Sequence, residues 1–178
     1  MVFIEQKRLA FAFDQLGPED GGEFERFANA FLMKEMPDLR PIAGMHDGAR
    51  DAFIYHLGTT ETSFLQSSVT TYWKRKVRAT IAALQKNGFT VREFIYCSPL
   101  AILVEADDLR AELRALGVSL DPRDRNYFLA SANSTPQQSE LCESFAKKYV
   151  DPVLATKRIA ELSGILLTDH EEATGWNR

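Results

Sequence analysis

Ser63-Phe64-Leu65-Gln66-Ser67-Ser68-Val69 reads as a strand, and the segment after it, Thr71-Tyr72-Trp73-Lys74-Arg75-Lys76 and on to Lys86, reads as a helix. In the first stretch Gln66 and two serines follow the apolar pair Phe64-Leu65, ahead of a change of hydrophobic period from strand to helix. In the second, Trp73, Val77, Ile81 and Leu84 fall near one stripe, while Lys74, Arg75, Arg78 and Lys86 occupy other faces. Asn87-Gly88 closes that helix, and Val91 to Cys97 forms the next strand, ended by Ser98-Pro99.

Upstream, Ala52-Phe53-Ile54-Tyr55-His56-Leu57 is a further strand with Gly58-Thr59-Thr60 as its turn, and Asp38 to Asp51 is a polar, Gly-rich passage leading into it. Glu23, Phe24, Phe27, Ala28, Phe31 and Leu32 recur at helical spacing, and Pro37 helps to stop that helix near Met36. Ile4 to Leu16 forms a short helix ended by Gly17-Pro18.

Downstream, Glu105 to Leu116 is a helix capped by Gly117, then a short strand Val118-Ser119-Leu120, then a turn and short helix over Asp121 to Ala130. Within that turn Asp124, Arg125 and Asn126 are read as caps of the helix rather than as part of a site. Ser131 to Ser139 reads as an exposed connection. Two helices, Glu140 to Tyr149 and Val153 to Leu162, are separated by Asp151-Pro152, and the tail from Thr168 is polar and expected to be mobile. The order helix, two adjacent strands, helix, strand, helix, strand argues for an α/β sandwich with a central mixed sheet flanked by helices. The expected division is a domain over residues 1–135 and a helical extension, or linker to a further domain, over 136–178.

A chain of 178 residues has room for one well-buried core. The hydrophobic fraction of 45% and twelve Phe argue against disorder. The net charge of −4 conceals an asymmetry: from Ser68 to Ser98, six basic residues stand against Glu93 alone, a span of +5 that leaves −9 for the remainder. One positive face on an acidic body suits a phosphate ligand. Cys97 and Cys142 are too few for a disulfide scaffold or a cysteine zinc site, and Cys97 reads as a small buried hydrophobe. No signal-peptide layout opens the sequence, and no apolar stretch approaches the roughly 20 residues needed to span a bilayer, so a cytoplasmic, membrane-free setting is expected.

Asp51, directly before an apolar strand, places a carboxylate where a hard divalent cation is held; Asp47 is the alternative acid of the same turn. Gln66 offers an amide oxygen and Ser67 a backbone carbonyl on the following strand. Lys76 is placed to stabilise negative charge developing on a phosphate, and Glu25 supplies a further carboxylate if its helix packs across the sheet. Each residue also has an ordinary reading, Asp51 as a turn residue, Gln66 as a strand surface residue, Lys76 and Glu25 as solvated helix charges. The combination carries the hypothesis. Tyr72 and Trp73 beside the basic cluster suggest stacking on an unpaired base, with Trp73 the better candidate for a core anchor. Three scattered histidines make no zinc site, and no phosphate-binding Gly-rich loop with its lysine is present.

The segment Phe24-Glu25-Arg26-Phe27-Ala28-Asn29-Ala30-Phe31-Leu32 with His46-Asp47-Gly48-Ala49-Arg50-Asp51 resembles the opening of the restriction-endonuclease-like (PD-(D/E)xK) superfamily, closest to the Mrr-like domains at the front of bacterial anti-phage proteins. The resemblance covers about residues 20 to 130. It implies a metal-dependent endonuclease acting on DNA, with Mg2+ as the usual metal and Mn2+ as a substitute. There an acid begins the second core strand, and an acid or glutamine with a lysine follows on the third. Asp51 matches the first acid, Gln66 the second ligand and Glu25 the auxiliary helix acid. Where Gln-x-Lys is expected the chain has Gln66-Ser67-Ser68, and Trp73-Lys74-Arg75-Lys76-Val77 resembles a lysine moved to the adjoining helix, Lys76 first and Lys74 as alternate. Lys74, Arg75, Arg78 and Lys86 would meet DNA phosphates. The resemblance further implies anti-phage defence, an associated ATPase or sensor module, and a homo-oligomer when active. The rival expectation is a degenerate nuclease fold that binds nucleic acid or protein without cutting.

Overall fold

Period-two alternation along the strands divides the interior into two cores. In a computed structural model describing residues 3–42, 52–55 and 60–174, with side chains to residue 161, Phe64, Phe94, Tyr96 and Leu120 belong to one core, and Leu65, Ile95 and Cys97 to the other. The protein is α/β. Its sheet of five strands has the order β1 (Leu39–Pro41), β2 (Ala52–Ile54), β3 (Ser63–Ser67), β4 (Glu93–Cys97), β5 (Ser119–Arg123). β1, β2 and β3 run antiparallel in turn, whereas β3–β4 and β4–β5 are parallel.

The parallel half is built from two crossovers, β3–α3–β4 and β4–α4–β5, through α3 (Trp73–Lys86) and α4 (Asp107–Ala115). Both step the same way across the sheet, and crossovers of one hand then place both helices on the same face. Trp73, Val77, Ile81 and Leu84 of α3 and Leu109 and Leu113 of α4 accordingly share a core with Phe64 and Phe94. Each helix ends on a glycine at positive φ, Gly88 at 88° and Gly117 at 77°, the left-handed cap that turns the chain back toward the next strand.

The other face is covered by α1 (Gln6–Asp14), α2 (Gly21–Leu32), α5 (Arg125–Ser131) and the start of α6 (Pro136–Thr174). Aromatic side chains dominate it. Phe27 lies within 4.4 to 6.3 Å, centroid to centroid, of Phe13, Phe24, Phe31, Phe128 and Phe145. Asp124, 1% exposed, caps α5 by accepting from the Tyr127 amide at 3.1 Å and also accepts from Ile102 and Leu103, so it serves the helix end as expected.

Several expectations are corrected. The polar lead-in contains a strand: β1 pairs Leu39 with Ile54, and three residues are too short to leave a periodic signature. The strand expected at Val118–Leu120 is Ser119–Arg123, running through Pro122, which an edge strand tolerates. The connection expected over Ser131 to Ser139 is shorter, because α6 begins at Pro136 and Gln138 and Ser139 are buried. There Asn133 pins the N-terminal segment, its amide oxygen accepting from the Ile4 amide and its amide nitrogen donating to the Ile4 carbonyl, each at 3.0 Å. The two terminal helices are one, and the tail stays helical to Thr174. Pro152 removes the donor to the Lys148 carbonyl, but Lys148 is exposed and water can serve that carbonyl. Cys142, Phe145, Ala146 and Val150 of α6 join the aromatic core. No helix among the described residues is long and apolar enough to cross a membrane.

Candidate functional site

β3 carries its chemistry at its C-terminal end, the end where α/β sheets place ligands. A cleft of about 610 Å3 opens there, with Glu25 of α2 on one side, Gln66, Ser67 and Ser68 along its floor, and Tyr72 and Lys76 at the start of α3 on the other. Four residues named from the sequence, on three separate elements, thus converge on one concavity. The oxygens offered by Glu25, Gln66 and Ser67 are hard donors, which fit a cation of the magnesium type and not a thiolate- or imidazole-seeking metal. Asp51, the intended first ligand, and its alternative Asp47 lie outside the described residues; the neighbour of Asp51, Ala52, pairs with Leu65, next to Gln66. Among the described residues no three His, Cys, Asp or Glu side chains gather as a metal cluster.

Gln66 is 4% exposed and its amide oxygen accepts a hydrogen bond from the Thr80 hydroxyl, from the buried side of α3. That fixes the amide plane while an sp2 oxygen keeps a second lone pair. Sequence reading passed over Thr80. The signal was available: Thr80 lies three residues beyond Val77 on the inward stripe, where a polar residue needs a buried partner.

Lys76 and Lys74 part company. Two residues along a helix rotate the side chain by about 200°, so Lys76 lines the cleft while Lys74 lines a neighbouring concavity with Trp73, Arg75 and Arg78. The Lys74 ammonium lies 5.5 Å from the Trp73 ring centroid. Trp73 itself is 4% exposed, a core anchor beside Tyr96.

The four basic residues expected on DNA are not equivalent. Arg78 makes a two-pronged contact with Glu112 of α4, 2.8 and 2.6 Å, which holds the Glu112 carboxyl below its ordinary range and raises Arg78. Lys74, Arg75 and Lys86 make no ion pair among the described residues. Lys86 lies twelve residues along α3 from Lys74, about 18 Å at helical rise, at the far end of the helix from the cleft.

No family model matches the chain, and no curated protein matches it significantly in sequence.

Proposed function

We propose that this chain is a Mg2+-dependent DNA endonuclease domain of the restriction-endonuclease-like class, built as a helix-flanked sandwich. The observation that carries the reading is the cleft shared by Glu25, Gln66, Ser67 and Lys76. Two features add support. β1 makes the strand after Asp51 the second of the sheet and the strand of Gln66 the third, the order the resemblance requires. Lys76, displaced onto α3, still lines the wall of the cleft that Gln66 floors.

In this reading Asp51, Gln66 and the Ser67 carbonyl hold the cation, with Glu25 assisting. When bound, the cation polarises the scissile phosphate and lowers the pKa of the attacking water. Lys76 faces the phosphate and stabilises charge that develops on it. Gln66, clamped by Thr80, keeps its oxygen in place through the reaction. Phosphate contacts from Lys74 and Arg75 position the strand without reading bases, which makes binding weakly specific and strongly salt-dependent. Cleavage of both strands calls for paired sites, hence a homo-oligomer. A cytoplasmic setting is part of the same reading; the role in anti-phage defence under an ATPase or sensor follows from the resemblance alone.

The rival, a non-cutting interaction module, draws on the engagement of Gln66 by Thr80 and on Ser68 standing where a lysine is expected. Plasmid and linear DNA incubated at low salt with Mg2+, Mn2+ or EDTA separate the two. Metal-dependent cutting lost in Asp51→Ala and Lys76→Ala supports the nuclease. Binding without cutting, and without metal uptake, supports the module.

A further inference from the structure

Among the described residues the Tyr72 ring joins neither hydrophobic core. It is 70% exposed at the N-terminal edge of α3, while the adjacent Trp73 fills the core. Its backbone is nonetheless held. The Tyr72 amide donates to the Thr70 hydroxyl at 3.2 Å, the Thr70 amide donates to the Ser68 hydroxyl at 3.2 Å, and the Tyr72 carbonyl accepts the Lys76 amide at 3.1 Å. A large aromatic is thus presented to solvent from a hydrogen-bonded backbone.

Its surroundings are cationic. Tyr72 lines the cleft and two adjoining concavities of about 410 and 360 Å3, and these bring Lys74, Arg75, Lys76 and the Glu112-paired Arg78 to it, with Glu25 and Glu105 as the acids among them. The Arg75 guanidinium carbon lies 5.4 Å from the ring centroid. A presented ring ringed by cations matches a base on its phosphodiester chain: the ring takes the face of the base and the cations take the phosphates. A duplex offers no such face, because each base is already stacked within the helix.

We infer that Tyr72 is a stacking platform for an unpaired base, and that the cleft takes single-stranded or frayed DNA with its backbone led past Arg75 toward Lys76. The assignment of substrate class rests on the nuclease reading; the binding step does not. Fluorescence anisotropy in EDTA, with a labelled single-stranded DNA oligonucleotide and with its duplex, tests it. The wild type is expected to prefer the single strand. Tyr72→Ala should weaken single-strand binding roughly 5- to 150-fold and leave duplex binding unchanged, and Tyr72→Phe should retain affinity. A 2-aminopurine base in the strand should be quenched on binding to wild type and less so with Tyr72→Ala. Equal losses on both forms, no loss, or tighter binding of the matching RNA strand would overturn the inference. If Tyr72 discriminates single strands but no metal supports cutting, the nuclease reading fails and the platform stands. If DNA is cut and Tyr72→Ala is indifferent to strandedness, the reverse holds.

Discussion

The Thr80 hydroxyl donates a hydrogen bond to the Gln66 amide oxygen, joining α3 to β3 in a setting where both residues are at most 5% exposed. Removing the donor leaves a buried acceptor unpaired. Thr80→Val should therefore cost about 1–3 kcal/mol in denaturant unfolding and, on the proposed nuclease reading, raise the Mg2+ concentration needed for cleavage, whereas Thr80→Ser should restore both. Unaltered Mg2+ dependence in a destabilised Thr80→Val would make the contact purely structural.

The two candidate lysines face different concavities, so their substitutions should diverge. On the proposed nuclease reading Lys76→Ala should lower the cleavage rate about a hundredfold, as loss of a charge-stabilising donor does. Lys74→Ala should weaken DNA binding and change the rate at saturating DNA little. Single-turnover cleavage checks this; a reversed pattern would assign the catalytic role to Lys74.

Arg78 is neutralised by Glu112. Glu112→Gln should release it, tighten non-specific DNA binding at low salt, and steepen the dependence of log affinity on log salt by about one unit. Titrations at several salt concentrations measure the slope, and an unchanged slope would place Arg78 off the DNA path.

Cys97 and Cys142 are free and buried, and burial pushes the Cys142 thiol up to about 12. At neutral pH it is a thiol, not the reactive thiolate. Mass spectrometry after iodoacetamide treatment should find neither cysteine alkylated in the folded protein and both alkylated after unfolding.

Phe27 touches five other phenylalanine rings and is 3% exposed. Phe27→Ala should cost about 3–5 kcal/mol, a large part of the roughly 5–15 kcal/mol that holds a domain together. A lowered urea midpoint with an unchanged slope would show it; a shift below the effect of an ordinary surface substitution would mean that the cluster relaxes to fill the space.

The sequence by itself determined the elements whose periodicity is long enough to read. The stripe Trp73, Val77, Ile81, Leu84 specifies α3, and the runs Ser63 to Val69 and Val91 to Cys97 specify strands, which the structure forms over Ser63–Ser67 and Glu93–Cys97. It also named Glu25, Gln66 and Lys76, because carboxylate, amide and ammonium are the groups that phosphate chemistry needs. Tertiary structure decided the rest. β1 is too short to announce itself, and its pairing with β2 is a contact between residues that local pattern does not link. α6 passes through Pro152 because the carbonyl that it frees, at Lys148, lies on an exposed position open to water. Which concavity Lys74 and Lys76 each line depends on the rotation at which α3 packs, and Trp73 and Val77 set that rotation by entering the core. Thr80 acquires its role only when Gln66 is brought beneath it: a hydrogen bond between residues fourteen apart is a property of the packed layers, not of either segment.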